Sequence, residues 1–242
     1  MADNLERVSR RRFVDLAGRA ILFGGAVSLL GISTAWAAQS VDCPIYMFHA
    51  IAPGGAVVDR VIRDNARLGR IPVSVRQLSD ILLGEAAVPD RPLFCLTFDD
   101  GTKDQFDNAL PVLNRYEAEA TFFVMGTAWQ GDGVHRYMTA EQLRHMAGLG
   151  YEVASHTVTH RSLSALSVSD PNACDDEVYQ SKSQLEVVID DRVVSFCFPN
   201  GSYNQGVINR VIDAGYTSAA SEINGRIQSD VNRYLLRRVR PS

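Results

Sequence analysis

Short apolar runs that alternate with helical segments are the feature that most constrains the fold of this chain. Most of these runs are continuously apolar, which is typical of strands that are covered on both faces. Because helical segments lie between them, the order favours a parallel α/β architecture. The seven predicted strands are Pro44–His49, Leu93–Phe98, Ala120–Met125, Tyr151–Ser155, Val193–Phe198, Tyr216–Ala219 and Leu235–Val239.

The helical segments carry recognisable start and stop signals. Thr139 and Gln142 have the spacing of a capping box, which predicts that a helix begins there. Pro111 lies inside another segment and predicts a late start or a kink. The predicted helices are Val75–Leu83, Asp104–Tyr116, Gln142–Leu149, Asp175–Ile189 and Gln205–Ala214.

Residues that can take part in catalysis stand where several predicted strands end. They include His49, the pair Asp99 and Asp100, His156 and Asn200. In a closed α/β barrel such groups gather at the carboxyl ends of the strands. An open doubly wound sheet fits the same alternation, but no glycine-rich phosphate loop follows the first strand. The pattern therefore favours a barrel over a dinucleotide-binding fold.

The first 37 residues differ in kind from the rest of the 242-residue chain. Ser9–Phe13 holds consecutive arginines and resembles a twin-arginine export signal. An apolar run at 20–32 and the small residues of Ala35–Ala37 follow, as signal peptidase cleavage requires. A membrane anchor is the alternative, but the run is short and broken by glycines. We predict a removed leader at 1–37, one domain at 38–242, and a periplasmic or secreted protein without a stable membrane anchor.

Charge and cysteine content narrow the class of partner. The whole chain has a formal net charge of −4, although residues 1–37 alone carry five arginines against three acids. The remainder is therefore acidic and has no basic run, which argues against nucleic acid and strongly anionic substrates. In an oxidising compartment disulfides can form, and the spacing of the cysteines leaves the pairing open. Cys95 and Cys197 lie inside apolar runs, which favours buried free thiols at least as much. The four cysteines are Cys43, Cys95, Cys174 and Cys197.

Two adjacent acids and two histidines indicate a metal site. The pair Asp99 and Asp100 is costly at the end of a buried strand, because like charges crowd and desolvation disfavours ionisation. His156 and His160 project to one side if the segment between them makes a helical turn. With one carboxylate they make a two-histidine, one-carboxylate set that leaves coordination positions for water and substrate.

Three motifs together resemble a known family. Thr97–Gly101, His156–His160 and Phe198–Gly201 are similar, in this order, to the first three motifs of polysaccharide deacetylases, the NodB-homology group or carbohydrate esterase family 4. The resemblance implies a distorted (β/α)7 barrel and a divalent metal ion, usually Zn²⁺. It extends to Ala120–Val124, to Glu177–Glu186 and to Gly215 and Tyr216.

The resemblance also implies a role for each motif residue. Asp100, His156 and His160 become the metal ligands. Asp99 becomes the general base that accepts a proton from the attacking water. The backbone N–H of Asn200 completes an oxyanion hole, for which only its main chain is required.

Two departures from the family pattern concern the remaining catalytic groups. Cys197 stands where the family usually has an arginine that orients the base, and Arg238 is the candidate substitute. Arg237 is the weaker candidate, because neighbours on a strand point to opposite faces. The family's last motif supplies a histidine near the C-terminus, which this chain lacks. His49 resembles that histidine moved to the front, as in the circularly permuted exopolysaccharide (poly-N-acetylglucosamine) deacetylase branch, and is expected to be the general acid.

The resulting expectation is an exported, metal-dependent enzyme that removes acetyl groups from N-acetylated amino sugars of a poly- or oligosaccharide. An O-acetyl esterase or a non-sugar amidase is an alternative, because both reactions pass through the same kind of tetrahedral oxyanion. A carbohydrate-binding pseudoenzyme is a further alternative, which the missing arginine at Cys197 favours slightly, whereas the intact Asp99–Asp100 pair and the His156 and His160 pair count heavily against it.

Overall fold

Parallel strands form the frame of the computed structural model, which describes residues 40–126 and 136–241. All seven predicted strands are present, and three short strands accompany them. The leader 1–37 lies outside the described residues. The strands are β1 (Ser40–Asp42), β2 (Ile45–Phe48), β3 (Ile71–Pro72), β4 (Leu93–Phe98), β5 (Thr121–Val124), β6 (Glu152–Ser155), β7 (Ser195–Cys197), β8 (Ser218–Asn224), β9 (Ile227–Ser229) and β10 (Leu236–Arg238).

The main sheet closes into a barrel. Its strand order is β10-β8-β7-β6-β5-β4-β2, and every pair in it is parallel. The two ends of the sheet meet at Val239, which follows β10. Its N–H donates to Ile45 O at 2.8 Å, and its carbonyl accepts the N–H of Met47 at 3.0 Å. The predicted (β/α)7 barrel is therefore confirmed, with the first long strand beside the last.

Helices cover the outside of this barrel. The capping boxes at Ser74 and Thr139 are both formed, as their sequences predict. Two helices, α1 and α5, are absent from the sequence prediction, and α6 starts four residues before its predicted first residue. The helices are α1 (Ala56–Arg67), α2 (Val75–Leu82), α3 (Leu110–Tyr116), α4 (Ala140–Gly148), α5 (Leu163–Ser169), α6 (Pro171–Ile189) and α7 (Gln205–Asp213), with 3-10 turns at Pro199–Gly201 and Arg233–Leu235.

The segment before Pro111 is a π-helix rather than an α-helix. It spans Gln105–Ala109, and α3 follows from Leu110 with the proline in its first turn. Proline is tolerated at that place because its missing N–H has no intrahelical partner. The predicted late start is confirmed, and the widened turn directly follows the Asp99–Asp100 motif.

Strand pleating divides the core in two. The larger cluster packs the outer face of the barrel against the helices and includes Phe98, which stacks between Phe48 and Phe122 at 5.1 and 4.7 Å. The smaller cluster takes residues from all seven barrel strands, which alternate with the outward ones, and therefore fills the interior. Its strand members include Ile45, Cys95, Phe123, Ala154, Cys197, Ala220 and Leu236.

The alternation continues past the carboxyl ends of the strands. His49 and Asp99 keep the inward parity of Ile45 and Cys95, and Arg238 keeps that of Leu236. The groups expected to be catalytic are thus directed to one mouth of the barrel.

Other features of the described chain concern its cysteines and its helices. All four cysteines are buried free thiols, and the Sγ atoms of Cys43 and Cys95 lie 3.7 Å apart. Among the described residues, no helix is both long and apolar enough to cross a membrane.

Candidate active site and metal centre

The two acids that end β4 have different surroundings. Asp99 is buried, whereas the side chain of Asp100 is one-fifth exposed and its φ of 77° turns the chain away from the strand. Gly101 follows with a φ of 74°, and a Cβ there would lie 2.8 Å from a methyl of Val124. The glycine is required for both reasons, since L-residues rarely adopt this φ and no space is free. The turn therefore separates the two carboxylates.

His156 and His160 meet Asp100 at the mouth of the barrel. The Nε2 atoms lie 3.6 Å and 3.5 Å from Asp100 Oδ1, and the two imidazole rings are 4.9 Å apart. The expected helical turn between the histidines is wrong. Thr157 and His160 have φ of 64° and 62°, so a non-helical loop brings the rings together.

The donor set fits a divalent metal ion. His156 Nδ1 lies 2.9 Å from the carbonyl oxygen of Cys197, so this nitrogen carries the proton and Nε2 presents its lone pair to Asp100. Burial lowers the pKa of His156, even though Asp99 opposes that shift, which keeps the imidazole neutral as a ligand must be. The three ligand atoms lie within 4.8 Å of one another. These residues could therefore hold a metal ion.

A second group of possible ligands, Asp99, His156 and Cys197, is as close together. The Arg238 guanidinium lies against two of its members, 2.7 Å from Asp99 Oδ1 and 3.3 Å from Cys197 Sγ. A fixed cation at this place repels a metal ion. The set with Asp100 is therefore the better metal centre, and Asp99 is left free for another task.

Asp99 and Arg238 form a buried ion pair. Burial alone would raise the pKa of Asp99, but the guanidinium of Arg238 outweighs it and holds this pKa below its usual range. Arg238 is 3% exposed, and its Nε also donates to the carbonyl of Ser221 at 2.8 Å. The exposed Arg237 points to the other face of β10.

Cys197 is the reason that Arg238 fits. Its thiol lies inside the barrel between Arg238 and Asp99, 3.8 Å from Asp99 Oδ2. Burial raises the pKa of this thiol well above its usual value, so it stays protonated and can donate to the carboxylate. A short side chain on β7 thus leaves space for the long arginine from β10.

His49 faces the other oxygen of the same carboxylate. Its Nε2 lies 3.8 Å from Asp99 Oδ2, and nearly half of its side chain is exposed at the mouth. Asn200 lies at the same end of the barrel, in the turn after β7, with a φ of 53°. The structure therefore brings all of the predicted site residues to the same end of the barrel.

Sequence reasoning missed the side chains that hold the segment after His49. Gln105 Nε2 donates to the carbonyl oxygens of both His49 (3.1 Å) and Asp99 (2.5 Å). Asn108 Nδ2 donates to Ile51 O at 2.7 Å, and the carboxylate of Asp104 accepts the Ile51 N–H. The π-helix thus ties β2 to β4 at the site. The polar residues that follow the Asp99–Asp100 motif were the only available signal.

Comparisons with known proteins agree with this geometry. The Bacillus subtilis protein YxkH, provisionally named a polysaccharide deacetylase, is 28% identical over 210 residues, 82% of this chain and 71% of that protein. A chitooligosaccharide deacetylase of Rhizobium leguminosarum bv. trifolii is 30% identical over 139 residues, 57% of this chain and 60% of the relative. The deacetylase PplD of Streptococcus pyogenes, solved with acetate, superposes with a TM-score of 0.74 at 25% identity, covering 84% and 93% of the two chains.

The family model for polysaccharide deacetylases matches residues 87–219, more than half of the chain, and the chain belongs to this family. It is a deacetylase of the NodB type, carbohydrate esterase family 4. The matched span contains Asp99, Asp100, His156 and His160, whereas His49 and Arg238 lie outside it on either side.

The ion pair generates a prediction about pH. Arg238→Met leaves Asp99 buried without its cation, so the pKa of Asp99 rises and a base at this position is protonated at a higher pH. We expect the acidic limb of the pH profile of deacetylation to move to higher pH. Arg237→Met, the exposed neighbour, is the control and should leave the limb in place. An unchanged acidic limb in folded Arg238→Met would contradict the interpretation that Arg238 lowers the pKa of a catalytic Asp99.

Proposed function

We propose that this protein is a metal-dependent N-deacetylase of amino sugars in a poly- or oligosaccharide. The observation that carries the proposal is the division of Asp99 and Asp100 between two environments at the mouth of one barrel. Asp100 faces two imidazoles, and Asp99 faces Arg238 and His49. Two nitrogens and one carboxylate oxygen are a donor set that suits catalytic Zn²⁺, so we propose zinc as the ion held by Asp100, His156 and His160. A bound divalent cation supplies a Lewis acid that polarises the acetyl carbonyl and lowers the pKa of water.

Asp99 is the proposed general base. Its Oδ1 is held by Arg238, which leaves Oδ2 to accept the proton of the attacking water. The pair with Arg238 keeps the carboxylate ionised and fixed in orientation despite its burial. The Cys197 thiol on Oδ2 is neutral and weakly bonded, and therefore does not compete strongly for the incoming proton.

His49 and Asn200 are the residues that we propose to act on the tetrahedral intermediate. His49 donates a proton to the departing sugar amine. Its exposure at the mouth places it on the side from which a polymer approaches. The backbone N–H of Asn200 is the proposed donor to the oxyanion that develops on the acetyl carbonyl. Acetate and the free amine then leave.

The substrate class rests on the relatives and on the chemistry of the acid. Relatives include a chitooligosaccharide deacetylase and a peptidoglycan-N-acetylglucosamine deacetylase. Protonation of an amine leaving group by His49 is needed for an amide and is less important for an ester. N-deacetylation is therefore preferred over O-deacetylation. The place of His49, directly after the first barrel strand, supports a relation to the permuted exopolysaccharide deacetylase branch.

Acetate release from three substrate classes tests the reaction. We expect metal-loaded protein to release acetate from N-acetylglucosamine oligomers or peptidoglycan fragments, and chelator to stop it. Release from acetylated xylan alone would favour the O-esterase, and release from none would overturn the proposal. Asp99→Asn should abolish turnover while metal still binds. Loss of metal in this variant would instead mean that Asp99 and Asp100 have exchanged roles.

The role of His49 has its own test. His49→Ala should lower kcat on an N-acetylated oligosaccharide by roughly 10²- to 10⁴-fold, the usual contribution of a general acid. His145→Ala is the matched control, because His145 is an exposed histidine on α4 whose ring makes an edge contact with Phe106. Near-wild-type turnover in both variants would remove His49 from the mechanism.

We also propose that the protein is exported through a twin-arginine-type signal and acts in the periplasm or outside the cell. The support is the sequence of residues 1–37, and a polymeric carbohydrate substrate is expected there. Lysine substitution of Arg10, Arg11 and Arg12 together should hold the full-length protein inside the cell, as measured by fractionation and blotting. Lysine substitution at Arg19 is the control. Equal export of both variants would exclude the twin-arginine route.

A further inference from the structure

Glu177 is a buried carboxylate that the proposed chemistry does not use. It lies on α6 and is 4% exposed. Among the described residues, no ion pair involves it. A buried carboxylate is costly unless hydrogen bonds compensate it, so its partners show what it is for.

Within the described part of the chain, the carboxylate of Glu177 accepts three hydrogen bonds, all from the loop between His156 and His160. Its Oε2 accepts the backbone N–H groups of Val158 and Thr159, both at 2.8 Å. Its Oε1 accepts the hydroxyl of Thr159. Successive N–H groups that converge on one oxygen form an anion-binding nest, and Glu177 fills it from a neighbouring helix.

This loop has no helix or strand of its own to hold its shape. Thr157 and His160 both adopt positive φ, a region that non-glycine residues, and β-branched ones above all, enter only when their surroundings impose it. Within the loop, the N–H of His160 donates to Thr157 Oγ1 at 3.1 Å. The carboxylate of Glu177 links the centre of the loop to α6, and the N–H of Gly126 donates to Thr157 O at 2.8 Å at its start.

We propose that Glu177 is a positioning residue for the metal centre, which holds His160 in register with His156 and Asp100. The inference rests on the metal site of the proposed function. Glu177 does not contact substrate or metal. It acts through Val158 and Thr159, the residues directly before His160.

The hydrogen bonds of Glu177 allow the effect of its hydrogen-bonding atoms to be tested apart from the effect of its charge. A glutamine at this position can offer one oxygen to both N–H groups and donate from its amide to the hydroxyl of Thr159. Glu177→Gln should therefore keep the loop in place. Glu177→Met has a similar length and no acceptor, so the N–H groups of Val158 and Thr159 lose their partner and the loop is released.

Binding of Co²⁺, followed by its visible absorption, tests the inference without any substrate. We expect the Co²⁺ dissociation constant of Glu177→Met to rise about 10- to 100-fold, as when groups that orient metal ligands are removed, with an altered spectrum. Glu177→Gln should stay within about threefold of wild type. Glu186→Met is the control, because Glu186 is a carboxylate on the same helix that accepts the N–H of Val193 at the opposite end of the barrel.

Thr159→Val provides a milder variant should Glu177→Met fail to fold, since it removes only the hydroxyl. It should weaken Co²⁺ binding less than Glu177→Met but more than Thr159→Ser. Wild-type affinity and spectrum in a folded Glu177→Met or in Thr159→Val would overturn the positioning role alone. An equal loss in Glu186→Met would show general destabilisation and also overturn it. If wild-type protein bound Co²⁺ no better than His156→Ala, the proposed metal site and this inference would fall together.

Discussion

The buried pair of Asp99 and Arg238 is the interaction on which the site depends. A carboxylate that is almost completely buried is normally driven towards its neutral form, which cannot accept a proton. The guanidinium at 2.7 Å reverses that tendency. Because breaking such a pair leaves an uncompensated charge in the interior, the pair also fixes how β10 lies against β4 across the barrel. The same ion pair therefore keeps Asp99 ionised and holds the last strand in place.

Closure of the barrel makes this pair possible. Val239 joins the last strand to β2 through two main-chain hydrogen bonds, so His49 and Arg238 reach one carboxylate from strands that are neighbours in space. The small Cys197 on β7 leaves the space that the arginine occupies. Arg238 thus stands in for the arginine that is absent at Cys197, and His49 for the histidine that is absent near the C-terminus.

The alternation of residues between the two faces of each strand explains which features the sequence could predict. The barrel, its seven main strands and the meeting of His49, Asp99, His156 and Arg238 all follow from apolar runs and from which face each residue takes. The histidine loop does not follow, because its shape is set by Glu177, a distant carboxylate on α6. Spacing of four residues correctly predicted that both imidazoles face one point, beside Asp100, although the segment between them is not helical. Helices α1 and α5 were not predicted from the sequence. Their N-cap residues, Gly55 and Ser162, make no side-chain capping hydrogen bond.

Because the barrel is closed, its first and last strands lie side by side although they come from opposite ends of the domain. The span that identifies the family runs from residue 87 to residue 219 and carries Asp99 and the three proposed metal ligands. His49 and Arg238 lie outside it, directly after β2 and on β10, the strands that Val239 joins to close the barrel. In a closed barrel, a strand from either end of the chain can occupy the same place and bring its residue to the same mouth. Residues that act together can thus lie at opposite ends of the sequence, and their position in space identifies them better than their order in the chain.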